Sequence, residues 1–105
     1  PIPAPRPGEA YGGDYRHPAY GTMTIRPGAR KGMLEGVLHD IRFSLIYGPD
    51  NAWRVAETAW PLRRGLKFDF AFGDGNAATA LATPLADGPT YRLQAGMLRF
   101  VRVAN

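Results

Sequence analysis

Three residue types that build many active sites are scarce or missing in this sequence. The chain contains no cysteine, two histidines (His17 and His39) and a single serine, Ser44. The lack of cysteine excludes disulfides, thiolate metal sites and cysteine nucleophiles. A serine hydrolase, a zinc site or a histidine-based acid–base enzyme is difficult to assemble from the three side chains that remain. We therefore expect no catalytic residues, no metal site and no cofactor within these 105 residues.

Long apolar runs and targeting segments are also missing. No stretch approaches the roughly 20 apolar residues of a membrane-spanning helix, and no signal peptide is visible. The chain begins at Pro1 rather than at methionine, which indicates a processed product or an excised piece and leaves an upstream signal or domain open. The length corresponds to one domain with one core.

Basic residues outnumber acidic residues, but they are dispersed. Thirteen lysines and arginines against nine acidic residues give a net charge of +4 and a pI near 9.9. Such a balance is compatible with a nucleic acid or an anionic surface as partner. The chain has no run of about five to eight basic residues, however, and its arginines fall one or two to a segment. We expect the arginines to lie on solvent-exposed strand faces, and we expect no nucleic-acid partner.

The start of the chain is rich in proline. Residues 1–7 read Pro-Ile-Pro-Ala-Pro-Arg-Pro, with a proline at every second position. Alternating prolines restrict φ and favour an extended polyproline II path. We interpret residues 1–9 as a semi-rigid linker from an upstream domain and residues 10–105 as a single domain. The alternative is that the segment is a ligand for a proline-binding module.

From Tyr11 onward the apolar residues recur with a period of two, which predicts half-buried strands. The clearest example is residues 66–72, where one face carries charge and the other carries an apolar row. The row consists of Leu66, Phe68, Phe70 and Phe72. The same pattern predicts strands over 22–26, 41–47, 53–56, 78–85, 90–94 and 98–103. The last of these breaks strict alternation, which indicates a bulge or burial on both faces.

The segment 32–38 is ambiguous, because its apolar residues also fit helical spacing. Gly32 and Gly36 disfavour a helix, so we predict a strand there, followed by a turn at His39-Asp40.

Glycine, proline and aspartate punctuate the apolar runs at regular intervals. The turn signals are Pro27-Gly28, Gly48-Pro49-Asp50-Asn51, Asp74-Gly75-Asn76 and Asp87-Gly88-Pro89. Asp74-Gly75 suits a tight primed turn, because both residues tolerate a positive φ. With the stretch around 11–15, the pattern predicts about eight short strands and an all-β fold, either a small antiparallel sandwich or a closed barrel.

Aromatic residues are the candidates for contact with a ligand or with a neighbouring domain. They are Tyr11, Tyr15, His17 with its aromatic neighbour Tyr20, Trp53 and Trp60. The alternative is that the tyrosines pack at one end of the fold, since aromatic side chains are large packing units. The row of 66–72 has two interpretations of the same kind: it lines a cavity for a small apolar ligand, or it fills the core. The short strands of so small a domain favour a filled core.

Two other motifs are incomplete. Ser44 lies inside a predicted strand and has no lysine three residues on, so the S-x-x-K motif of penicillin-recognising enzymes is missing. Asp74-Gly75-Asn76 is similar to the start of a calcium loop but lacks the later ligands and the terminal glutamate. We expect neither to be a site.

Several runs together carry a resemblance to a known family. Residues 11–21 read Tyr-Gly-Gly-Asp-Tyr-Arg-His-Pro-Ala-Tyr-Gly, and threonines then alternate with apolar residues. The runs at 65–70, 74–75, 80–85 and 98–103 add to the pattern. The chain resembles, over most of 10–104, the accessory domain often found at the C-terminus of β-lactamase-related serine hydrolases, the class C β-lactamase and penicillin-binding-protein-like group. It departs from that pattern at 47–55, where a histidine- and tyrosine-rich segment is expected and no histidine occurs.

The resemblance implies an eight-stranded, lipocalin-like antiparallel barrel in which Gly13-x-Tyr15 takes the place of the Gly-x-aromatic motif of the first strand. It also implies an upstream catalytic domain joined through residues 1–7, and a periplasmic or secreted location.

These observations favour a non-catalytic accessory domain that packs on or modulates an upstream serine hydrolase of the penicillin-binding or esterase-like kind. We expect loops 48–52, 59–65 and 86–89 to reach the partner. Three alternatives stay open. They are a stand-alone lipocalin-like binder of a small apolar ligand, an enzyme with a constellation near Asp14, His17 and Tyr20, and a basic surface for nucleic acid or anionic lipid.

Overall fold

The computed structural model describes residues 4–30, 32–48, 50–58, 64–84 and 98–103. These residues form a short 3₁₀ helix, Gly8–Ala10, and strands β1 Gly13–His17, β2 Gly21–Pro27, β3 Met33–Leu38, β4 Ile41–Tyr47, β5 Trp53–Thr58, β6 Lys67–Phe72, β7 Ala78–Thr83 and β8 Leu98–Arg102. Each strand pairs antiparallel with the next, and β8 pairs with β1. The fold is therefore a closed up-and-down barrel of eight strands, which confirms the all-β prediction and selects the barrel over the sandwich.

Side chains alternate between the barrel interior and its outer surface, as the period of two requires. The largest fully buried side chains are Tyr15, Phe68, Phe100, Met23, Ile25, Leu34, Leu45, Leu81 and Thr83. The apolar row of 66–72 packs on this core as predicted, with Phe68 fully buried and the other three members partly buried. Lys67 and Asp69 lie exposed on the outer face of β6. None of the helices in the described residues is long and apolar enough to cross a membrane.

The ambiguous segment forms a strand over Met33–Leu38, as predicted except for Gly32, which lies in the turn before it. Gly36 on β3 lies opposite Phe43 on β4, and the aromatic ring of Phe43 covers the glycine so closely that a β-carbon at position 36 would overlap it. The predicted turn at His39-Asp40 is also confirmed, because Leu38 pairs with Ile41 across a two-residue connection. Gly36 is therefore required by a close approach of an aromatic ring, and a helix is not compatible with that packing.

The predicted primed turn at Asp74-Gly75 is wrong. β6 ends at Phe72 and β7 begins at Ala78, so the chain reverses over the five residues 73–77. Neither Asp74 nor Gly75 has a positive φ. The longer connection spreads the reversal over more residues, and a bulge between Ala71 and Phe72 adds to it.

The prediction of a bulge or of two-sided burial for the last strand is wrong as well. β8 alternates regularly, with Phe100 fully buried and Val101 47% exposed. Arg102 pairs with the buried Tyr15 and shares its inward face, so the expectation that the arginines lie on solvent-exposed faces is wrong at this position. The predicted strand at 90–94 and the turn at 87–89 lie outside the described residues.

The two ends of the barrel differ. At one end the 3₁₀ helix packs beside Pro27, the last residue of β2, and Tyr11 follows it into the core. We call this the plugged end; β2, β4 and β6 end there and β3, β5 and β7 begin there. The connections 18–20 and 39–40 lie at the opposite end, where β5 also ends.

Candidate functional site

Arg102 holds the entry of the chain into the barrel. Its Nη2 donates hydrogen bonds to the carbonyl oxygen of Gly12, at 2.6 Å, and to the hydroxyl of Tyr15, at 3.2 Å. Its Nε donates to the carbonyl oxygen of Ala78 on β7. The guanidinium of Arg102, on β8, therefore connects three parts of the barrel. They are β1, the residue before β1, and β7.

Tyr15 completes this arrangement, which we call the Arg102 clamp. Its hydroxyl donates a buried hydrogen bond of 2.6 Å to the carbonyl oxygen of Tyr11, and the guanidinium carbon of Arg102 lies 5.2 Å from the centre of its ring. Burial raises the pKa of Tyr15, while the charge and the hydrogen bond of Arg102 act in the opposite direction. Tyr15 is therefore a neutral donor at ordinary pH.

Gly13 makes room for the clamp. Its φ of 148° is one that side chains with a β-carbon rarely adopt, and a β-carbon there would overlap the guanidinium of Arg102. This close approach gives a structural reason for glycine in the Gly13-x-Tyr15 motif.

The plugged end carries a cluster of aromatic rings. Tyr11 meets Trp53, Phe70 and Phe72 edge to face, at centroid distances of 5.1, 5.0 and 5.5 Å. Tyr47 meets Trp53 in the same way at 5.4 Å. These geometries are the ones that aromatic quadrupoles favour.

A groove of about 240 Å³ opens at this cluster. Its aromatic lining consists of Tyr11, Tyr47, Trp53, Phe68, Phe70 and Phe72. Pro5 and Arg6 complete the lining, and the guanidinium carbon of Arg6 lies 3.9 Å above the ring of Phe72. We call this feature the aromatic groove. The indole Nε1 of Trp53 is buried beside it and has no hydrogen-bond partner.

The opposite end carries a second, smaller aromatic cluster. The ring of His17 lies 5.1 Å from that of Tyr20 and 5.3 Å from that of Phe100. Its Nδ1 accepts a hydrogen bond of 3.0 Å from the backbone N–H of Ala19, so the neutral ring carries its proton on Nε2. The imidazole of His39 lies near Gly21 at the same end.

The predicted contact residues are therefore divided between the two ends and do not form one patch. Tyr11 and Trp53 lie at the plugged end, His17 and Tyr20 at the opposite end, and Tyr15 is buried between them. Trp60 lies outside the described residues.

Of the catalytic constellation considered from the sequence, His17 and Tyr20 meet, but Asp14 does not join them. Asp14 lies on the outer face of β1, where its carboxylate accepts a hydrogen bond of 2.8 Å from the hydroxyl of Thr24. His17 belongs to the other face of the same strand and contacts the buried Phe100. The pleat of the strand separates Asp14 from His17.

Ser44 has no partner that would activate it. Its Oγ is buried and makes no hydrogen bond. The residues opposite it are Glu35 on β3 and Glu57 on β5, and all three line an open groove of about 480 Å³ with Arg42. A serine nucleophile needs a base within hydrogen-bond distance, and neither carboxylate supplies one in this arrangement. Within the described ranges, no three histidine, aspartate or glutamate side chains converge to hold a metal ion.

The predicted loop 48–52 is anchored to the barrel wall. Arg54 donates to Oδ2 of Asp50 through Nε, at 2.8 Å, and through Nη2, at 2.5 Å. Its Nη1 donates to the carbonyl oxygen of Gly65, at 2.8 Å. The hydrogen bonds from Arg54 lower the pKa of Asp50. Asn51, with a φ of 59°, closes the loop through a hydrogen bond to Gly48.

Two arginines that shape the plugged end, Arg102 and Arg6, are not among the contact residues that the sequence predicts. Arg102 stands two residues after Phe100, so the period of two would have assigned both to one face. A charged residue is usually assigned to the outer face and a valine to the inner face, and the strand has the opposite arrangement at Arg102 and the valine beside it. No signal in the sequence points to the contact of Arg6 with Phe72.

Comparison with protein-family models, with curated proteins and with solved structures gives no match for this chain. What the geometry defines is a class of fold: a closed, eight-stranded antiparallel barrel with one end plugged by the segment that precedes β1.

Proposed function

We propose that this chain is the non-catalytic accessory domain of a bacterial β-lactamase-related serine hydrolase, periplasmic or secreted, and that it packs on the upstream catalytic domain and modulates it. The resemblance of residues 11–25 and of the closing strand to such domains supports this proposal. An alternative, a stand-alone lipocalin-like carrier of a small apolar ligand, receives less support. The groove beside the phenylalanine row measures about 240 Å³, whereas ligand pockets occupy about 300–1,000 Å³.

The observation that carries the proposal is the anchored entry of the chain. The Arg102 clamp and the packing of Tyr11 fix the polypeptide where it enters the barrel, at the plugged end. A catalytic domain joined through residues 1–7 is then held close to that end. Loop 48–52 shares this end and is the contact we propose. The expected loops 59–65, apart from residues 64 and 65, and 86–89 lie outside the described residues.

The first test compares the parent hydrolase with and without residues 10–105. Its melting temperature and its kcat/KM for a chromogenic β-lactam and a nitrophenyl ester are measured for both chains. We expect the truncated chain to lose stability or to change its relative rates on the two substrates. Unchanged stability, rates and substrate preference, or a gene without a hydrolase upstream, would contradict the proposal.

A pair of charge reversals tests which end faces the catalytic domain. Asp74→Lys changes an exposed residue at the plugged end, and Asp40→Lys makes the same change at the opposite end. We expect Asp74→Lys alone to alter the melting temperature or kcat/KM of the full-length enzyme. Equal effects of the two variants, or an effect of Asp40→Lys alone, would overturn the assignment of the interface.

A further inference from the structure

The aromatic groove is partly occupied by the chain's own proline-rich segment. Ala4 packs against the core, and Pro5 and Arg6 lie along the groove wall. The burial of residues 4–7 alternates, with Ala4 and Arg6 half-buried and the two prolines exposed. This segment therefore lies on the barrel surface in a defined orientation rather than extending into solvent.

The local backbone is suited to recognition of the polyproline II kind. Pro7 has φ −64° and ψ 156°, which are polyproline II angles. Such a segment has few conformations to lose on binding, and its side chains are presented to aromatic-lined grooves in known proline-recognition modules. Here the aromatic wall is supplied by Tyr11, Trp53 and Phe72.

A cation–π contact gives the segment a preferred position. The guanidinium of Arg6 lies above the face of Phe72, a geometry in which the quadrupole of the ring attracts the cation. Asp69 also contributes to the lining, and its carboxylate lies 3.6 Å from Nζ of Lys67 on the outer face of β6. The groove thus complements an arginine that follows a proline, as in Pro5-Arg6.

We propose that the aromatic groove is a recognition site for a proline-rich, arginine-containing polyproline II segment, and that the chain's own residues 4–7 are its resident occupant. The segment is then a docked strap that sets the position of whatever precedes it. The inference does not depend on the identity of the catalytic partner. A short tether gives the strap an effective concentration on the order of millimolar, so a peptide added at lower concentration does not displace it.

The test uses the full chain and the peptide Pro-Ile-Pro-Ala-Pro-Arg-Pro as the probe. A variant that combines Pro5→Gly with Arg6→Ala removes the groove contacts of these two side chains while it keeps the chain length and Pro7. The reporter is the indole N–H resonance of Trp53 in ¹H–¹⁵N spectra, assigned with Trp60→Phe. We expect a saturable shift in the variant and binding at least about tenfold weaker in the native chain.

Two controls accompany this titration. Arg16→Ala removes an exposed arginine on the outer face of β1, and we expect it to behave as the native chain does. A peptide with alanine in place of every proline should not shift the Trp53 resonance. Equal binding by the native chain and the variant, no shift in a variant with a dispersed spectrum, or shifts centred on His17 and Tyr20 would each overturn the proposal.

A second measurement covers the case in which the double variant does not fold. Arg6→Ala alone is compared with the native chain by ¹⁵N relaxation of residues 4–8. We expect the native strap to be as ordered as the strands and the variant strap to become mobile on the nanosecond timescale. A native strap that is already mobile, or a variant strap that stays ordered, would refute recognition through Arg6.

Discussion

Arg102 shows how one charged side chain can organise a small barrel. A guanidinium removed from water is costly unless its donors are satisfied, and here Nε and Nη2 reach carbonyl oxygens of Ala78 and Gly12. The same group touches the hydroxyl of Tyr15, which in turn donates to Tyr11. These bonds join residues that are distant in the sequence and close the barrel near its plugged end.

Tyr15→Phe tests the polar part of the clamp. The variant keeps the ring but loses the hydroxyl, and it leaves the carbonyl oxygen of Tyr11 without this buried donor. We expect a loss of about 1–3 kcal/mol in the free energy of unfolding, measured with urea. Tyr20→Phe is the matched control, since Tyr20 is only partly buried, and its loss should stay below about 0.5 kcal/mol. Equal losses in the two variants would contradict the role of the clamp.

The raised pKa of Tyr15 makes a second prediction, on the pH dependence of stability. A group whose pKa is higher in the folded state binds its proton more tightly there, so its contribution is complete below the ordinary pKa of 10.0. That contribution is lost as the pH rises through the higher folded value. We expect the unfolding free energy, followed from about pH 8 to 12, to fall less in Tyr15→Phe than in the native chain. Parallel profiles would show that Tyr15 does not titrate with folding.

Gly13→Ala tests the steric part of the clamp. The new β-carbon meets the guanidinium of Arg102 at a backbone φ of 148°, so two separate costs are combined. We expect a destabilisation of about 1–3 kcal/mol on thermal or urea unfolding. In the Arg102→Ala background the steric cost disappears and the backbone cost remains, so a double-mutant cycle should yield a coupling of about 0.5 kcal/mol or more. Strictly additive losses of stability would show that Gly13 and Arg102 contribute independently, which would contradict the steric role of Gly13 in the clamp.

Strand β3 depends on a glycine as well as on its apolar residues. Gly36 interrupts the apolar pattern of β3, and the ring of Phe43 fills the space above it from the neighbouring strand. An aromatic residue that covers a glycine across two strands replaces the packing that the glycine lacks. The pairing of β3 with β4 therefore decides that this segment is a strand, although the spacing of its apolar residues also fits a helix.

Gly36→Ala tests this pairing. The added methyl group overlaps the Phe43 ring, and relief of the overlap requires a shift of the ring or of the strand. We expect a loss of about 1–3 kcal/mol in the unfolding free energy. Gly75→Ala is the control, because no atom lies within 4 Å of a β-carbon built there; it should be neutral or slightly stabilising. An unchanged stability of Gly36→Ala would mean that the ring moves aside at no cost.

At the scale of the whole molecule, the ladders around the barrel differ in length. β3 and β4 share six residue pairs, whereas β5 and β6 share two, because β6 begins at Lys67. Hydrogen bonds between Val55 and the residues before β6, Gly65 and Leu66, extend this short ladder. The seam between β5 and β6 is therefore one of the two shortest ladders of the described barrel, together with the two-pair ladder between β1 and β8.

Native-state hydrogen exchange should locate this seam. We expect the amides at 54–55 and 67–68 to exchange faster than those at 34–37 and 42–45, since local opening requires fewer broken hydrogen bonds. Two-dimensional NMR after transfer into deuterated buffer measures both groups in one sample. Equal protection around the barrel would show that it opens only as a unit.

The strand periods, the number of strands and the inward direction of the phenylalanine row could be obtained from sequence, because each depends on alternation within a few residues. The aromatic residues of the plugged end could be listed, but their division between two ends could not. That division depends on how far each strand is staggered against its neighbour. The inward position of Arg102 and the docking of Arg6 could not be predicted from the sequence either, because both depend on partners far away in the chain.

The amino-acid sequence by itself determined an all-β domain without cysteine, with a proline-rich start and with one apolar face on each strand. These properties follow from residue type and local spacing. Tertiary structure decided that the strands close into a barrel, that Gly13, Tyr15 and Arg102 meet, and that the proline-rich start lies against an aromatic groove. Closure and register arise from contacts between residues that are far apart in the chain, and local propensities do not specify them.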